Sequence, residues 1–189
     1  MMKLPVQEMR RVGFDLPSEL DVARAWSNWA SVAQEFYSAA AVLYDARSET
    51  HARMHSGEPL TMTPRVIARI RLERPIFFSM AMAIELAIKA ATVGRDSSRI
   101  VANTRMFFAS HKLLILCRKI SELCLSDAER KCVQEAEEIV RDGKYPVGLK
   151  PTDDESASLL PDLDTFLCTA IDVYRKLMRV ASSRTNGGG

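Results

Sequence analysis

Ile76 to Val93 reads IFFSMAMAIELAIKAATV, and the reading of this run decides the fold. It is apolar on nearly every side, with Glu85 and Lys89 as its only charges. A surface helix keeps a polar face, whereas a helix apolar all round is buried among others. Ala, Met, Leu and Ile favour a helix, and Ala lets neighbouring helices approach closely. The run is therefore predicted to be the central helix of a helical core. A membrane span is the rival reading. It needs about 20 mostly apolar residues, and a mid-span Glu and Lys would each cost about 2.5–3.5 kcal/mol, so it is set aside. Glu85 and Lys89 are four apart with Glu first, the favoured order for a helical ion pair. Two charges on such a helix need each other, another partner, or a cleft to face.

Working outward, Pro75 lies just before this run and predicts a kink or break there, and Pro64 can open a preceding helix at its first position. Gly94 is read as the stop of the central helix. Toward the N-terminus, residues 1–17 hold Pro5 and Pro17 and read as an extended arm. Ser18 with Asp21 resembles a capping box, opening a helix expected to reach about Arg47. Its apolar stripe is Ala23, Trp26, Ala30, Ala33, Tyr37, Ala40 and Tyr44, widened by Trp29, Val32, Phe36 and Leu43. Residues 48–63 read as a loop, with Gly57 and Pro59 as breakers.

Residues 95–109 are irregular and basic. Ser110 can cap a third long helix, HKLLILCRKISEL, with Leu113, Leu116, Cys117, Ile120, Leu123 and Cys124 on its buried stripe. Ser126 with Glu129 is a capping box for a fourth helix, striped by Cys132, Val133, Ala136, Ile139 and Val140 and stopped at Gly143. Residues 144–160 form a polar loop. A last helix starts at Pro161 or Asp162, with Leu163, Phe166, Leu167, Ala170, Tyr174, Leu177 and Met178 inward. Residues 183–189 are read as a disordered tail. No strand alternation and no internal repeat is found. The expected fold is all-α, an up-and-down bundle of about five helices in one domain spanning 18–182.

The 189 residues carry a net charge of +2, which gives no global attraction to nucleic acid or membrane. The local balance is uneven. Arg65 to Arg105 holds seven Arg and Lys89 against three acids, a balance of +5, while Asp127 to Asp164 holds eleven acids against five bases, a balance of −6. That asymmetry suits an anionic ligand at one end, self-association, or two ordinary solvated faces. The four Cys, at 117, 124, 132 and 168, form no CxxC pair and are read as free buried thiols in a reducing compartment. The N-terminus lacks an apolar signal region, so a cytoplasmic protein is expected.

Site chemistry is sparse. His51 and His55 are four apart, but two ligands do not make a metal site. No phosphate-loop or dinucleotide fingerprint occurs, and no cofactor is implied. Arg105 and His111 frame RMFFASH near a helix start. Such a pair can work on a phosphodiester, the His moving a proton and the Arg stabilising developing negative charge. Asp142 to Val147, DGKYPV, places Lys144 and Tyr145 after a helix end, either as a packed turn or as part of the same cleft.

Taken in order, AMAIELAIKA (81–90), SHKLLILC (110–117), a Glu-rich capped helix and GKYPV (143–147) resemble the HEPN-domain superfamily. Many bacterial branches of it show an EL-x-x-K helix, an H-x-L helix start and a G-[RK]-Y-P turn. The resemblance covers about residues 70–180. It implies a helical bundle, often a homodimer, found in toxin–antitoxin, CRISPR-associated and phage-defence systems. Active members are metal-independent ribonucleases using an Arg, four to six residues, then a His; Arg105 and His111 fit that spacing. They tend to carry a polar residue after the Arg, where this chain has Met106. Other members are non-catalytic. The expectation is an RNA-binding or RNA-cleaving protein with Arg105 and His111 catalytic. The alternative is a helical module binding a partner protein or small anion through the Glu85, Lys89, His111 and Lys144 region, with Tyr145 as a further binding candidate.

Overall fold

The computed structural model describes residues 26–57, 61–95, 112–143 and 161–183. The N-terminal arm, the Ser18–Asp21 cap, the basic 96–111 stretch, the 144–160 loop and the tail beyond Ser183 lie outside the described residues. Within them the protein is an all-α bundle without strands, built of six helices. These are α1 Trp26–His55, α2 Pro64–Ile70, α3 Glu73–Arg95, α4 Leu113–Cys117, α5 Asp127–Gly143 and α6 Leu163–Ser182.

The apolar run lies on α3, at the centre. From Ile76 to Val93 every residue is buried except Phe78 and Met82, which are half-buried. Helices α1, α5 and α6 surround it, and α4 closes one side. Ala81, Ala83, Ala87, Ala90 and Ala91 are fully buried and let these neighbours approach. The larger Ile76, Phe77, Met80, Ile84 and Ile88 fill the spaces between them, each contributing about 1.5–3 kcal/mol by leaving water. Phe77 meets Phe166 of α6 with ring centroids 5.1 Å apart, and Tyr37 of α1 stacks on Tyr174 of α6 at 4.6 Å. Helix α3 is long and apolar enough to cross a bilayer, but 89% of that stretch is covered by the protein's own side chains.

The break expected at Pro75 falls just before it, at Arg71 and Leu72. Helix α2 ends at Ile70, and α3 restarts at Glu73, which puts Pro75 in a first turn where its missing N–H costs no helical bond. Thr63 caps α2 by accepting from the Val66 N–H, with Pro64 next. At α5 the Ser126–Glu129 box forms reciprocally: Ser126 N–H donates to Glu129 Oε2 at 2.7 Å and Glu129 N–H donates to Ser126 Oγ at 3.3 Å. Asp162 caps α6 through the Thr165 N–H at 2.9 Å.

Four expectations are corrected. The 48–63 segment is not all loop, because α1 continues to His55. Its SETHARMH stretch holds no Gly or Pro, Thr50 is buried and bonds back to the Ala46 carbonyl, and the helix stops only at Gly57 with φ +73. The third helix is short. After Cys117 the bonds tighten to three-residue spacing, Lys119 to Leu116 and Ile120 to Cys117. Ile120 is buried by that turn rather than by a helical stripe, and the chain then reaches the Ser126 cap. Gly94 is not the stop; it lies in the last turn of α3, where an added Cβ would come 3.3 Å from the Ala181 carbonyl oxygen of α6. It is small because α6 packs there. Finally, Cys117 and Cys132 are buried, with their thiols pushed up to about 12 by burial, whereas Cys124 and Cys168 are exposed.

Candidate functional site

The two charges of the central run find each other. Lys89 Nζ lies 2.5 Å from Glu85 Oε1, and the two side chains are only 5% and 4% exposed. The four-residue spacing on α3 sets this contact directly. Lys89 also sits over the Trp29 ring of α1, 5.6 Å from its centroid, so the ammonium meets an aromatic face as well as a carboxylate. Desolvating two ions is costly, and mutual attraction offsets that cost only with good geometry and added partners. The pair therefore ties α1 to α3 from inside the core.

A groove of about 230 Å³ opens between α1 and α6. Met80, Leu167 and Ile171 contribute apolar side chains to its lining, and Tyr37, Tyr44, Asp45 and Asp164 add rings and carboxylates. Tyr44 donates to Asp164 Oδ1 at 2.9 Å. That bond, then burial, raises the phenol above its ordinary value. Neither Glu85 nor Lys89 lines this groove. On α5, Glu129 is buried and also bonded by Lys176 of α6 at 2.7 Å. Burial pushes its carboxyl up, but the Lys176 and Ser126 hydrogen bonds outweigh this and hold it below the usual range.

Of the residues the sequence nominates, Glu85 and Lys89 are brought together. Arg105, His111, Lys144 and Tyr145 lie outside the described residues. His51 and His55 both fall on α1, and no group of three metal-ligating side chains occurs among the described residues. Trp29 as the partner of Lys89 was not read from the sequence; its place on the widened stripe of α1 is the signal that pointed inward. The facing positions of α1 and α2 also went unread, since both depended on helix ends that the sequence blurs.

Comparison with protein-family models, curated proteins and solved structures finds no match for this chain.

Proposed function

We propose that the chain is a HEPN-like helical protein that binds RNA as a homodimer and cleaves it without a metal, using Arg105 and His111. The observation that carries this reading is an ordered motif set on an all-α bundle. The E-L-x-x-K element lies on the buried central helix α3, and the short helix α4, which follows the Arg105–His111 segment in sequence, packs on that helix. In this reading His111 moves the proton of the attacking ribose hydroxyl and Arg105 steadies negative charge on the phosphate. The protein works in the cytoplasm, as part of a prokaryotic defence or toxin module. A second subunit is supported by α1, whose outer side leaves Val32 and Val42 exposed among Ser31, Ser38 and Ala39.

The test is cleavage of labelled RNA in chelator by the parent, Arg105→Ala and His111→Ala, with circular dichroism as the folding control. The expected result is cleavage by the parent alone. A parent that neither cleaves nor binds RNA overturns the reading. One observation favours the non-catalytic alternative: Glu85 and Lys89 are sealed and bonded to each other, so the E-L-x-x-K motif has a structural use that requires no chemistry. RNA bound but left intact supports that alternative.

A further inference from the structure

Helices α1 and α6 run side by side without packing closely, and side chains bridge them at two levels. Tyr44 of α1 donates to Asp164 Oδ1 of α6 at 2.9 Å. Tyr37 of α1 stacks on Tyr174 of α6, whose hydroxyl donates to Gln34 of α1 at 2.9 Å. Numbers rise on α1 as they fall on α6, so the two run antiparallel. At about 1.5 Å per residue, the bridges stand about 10 Å apart along α1 and about 15 Å apart along α6. Tyr37 and Tyr44 lie two turns apart on one face of α1, and the groove-lining positions between them are Ala40 and Ala41. Rings prop the helices apart at each end, and two methyl groups leave the span between them unfilled. That gap is the groove of about 230 Å³, with Met80 of α3 and Leu167 and Ile171 of α6 as its apolar lining.

The charge of the groove is one-sided. Asp45 and Asp164 line it, and no Lys, Arg or His does. Asp164 has a use in the fold. It lies in the first turn of α6, where the helix favours a negative charge, and it takes the Tyr44 bond. Asp45 has no such use. It lies inside α1, where Asp is a weak helix former. It is exposed, and no hydrogen bond or ion pair holds it among the described residues. Arg47, whose charge reaches Tyr44, is bonded to Glu73 instead. Carboxylates attract a cation, and so do the faces of phenol rings. The apolar lining rewards a ligand that also brings hydrocarbon out of water. The volume is below the about 300–1,000 Å³ of pockets for drug-sized ligands, so the ligand is small.

We propose that this groove binds a small organic cation, an ammonium group on a short apolar body, with the ammonium at the Asp45 and Asp164 carboxylates and the body on Met80, Leu167 and Ile171. The proposal goes beyond the RNA reading and uses neither Arg105 nor His111.

Cys168 supplies a reporter inside the site. It is exposed and lines the groove, whereas Cys124 is exposed and does not line it. The experiment follows alkylation of both thiols by iodoacetamide, read by peptide mass mapping, with phenethylammonium as the probe and uncharged phenethyl alcohol beside it. The amine should slow alkylation at Cys168 and leave Cys124 unchanged, and the alcohol should need about tenfold more to do the same, the loss expected when a charged hydrogen-bond partner is removed. Asp45→Asn, and Asp164→Asn, which keeps an acceptor for Tyr44, should each weaken the amine's effect by about tenfold, with circular dichroism as the folding control. No slowing at Cys168, equal slowing at both thiols, equal protection by the alcohol, or unchanged protection in folded Asp45→Asn overturns the proposal. The comparison of amine with alcohol on the parent stands without either variant.

Discussion

Glu85 with Lys89 on α3, and the exposed Arg53 of α1 and Arg65 of α2, are charged side chains in opposite settings. The first pair is opposite in sign, sealed from water and capped by the Trp29 ring. The second two are alike in sign and open to solvent. A buried charge must be satisfied within the fold, so its loss registers as stability. An exposed charge costs the fold little, so its value registers in what it attracts.

The largest expected effect breaks the sealed pair on one side. Glu85→Ala leaves Lys89 buried and uncompensated, which should lower stability by about 3–5 kcal/mol in urea unfolding. Removing both charges with Glu85→Leu/Lys89→Met should restore stability, to neutral or about 1–4 kcal/mol above the parent. If the double variant is as damaged as the single one, the pair is not a self-contained unit. Next is Gly94→Leu, which forces a side chain against the Ala181 carbonyl; overpacking there should cost about 1–3 kcal/mol, read as a lower unfolding midpoint at unchanged slope.

Ser126→Ala removes one half of the α5 capping box and should cost about 1 kcal/mol. The same corner has a pH signature. The folded Glu129 carboxyl is held below its ordinary value. Its contribution is therefore complete above the unfolded value near about 4.3 and is lost as the pH falls below it. Lys176→Met should flatten that acid loss when stability is followed from neutral pH downward. Smallest is the effect of Arg65→Gln on folding, within about 0.5 kcal/mol in thermal or urea unfolding, as for surface sites away from packed features. A larger fall would mean that Arg65 is structural, which would erase the contrast with α3.

How much of this was legible depended on whether local sequence or distant packing decided each feature. The buried character of α3 was readable because no polar face interrupts Ile76–Val93. The Ser126–Glu129 box was readable because its bonds span three residues, whereas Asp162 was read only as a possible helix start and not as the cap it is. The extension of α1 through His55 was missed, because Ser, Thr and His are weak helix formers whose state is settled by contacts such as buried Thr50. The shortness of α4 was missed because Ile120 fits a helical stripe and a tight turn equally well. The partnership of Trp29 with Lys89 needed the relative register of helices far apart in sequence. Of the nominated site, only Glu85 and Lys89 fall on described residues, and their four-residue spacing gave their pairing correctly.

The most direct test of the sealed pair is urea unfolding of Glu85→Ala and of Glu85→Leu/Lys89→Met beside the parent. Glu85→Ala should lose about 3–5 kcal/mol, and the double variant should return to the parent's stability or about 1–4 kcal/mol above it. A double variant as damaged as the single one would contradict the account.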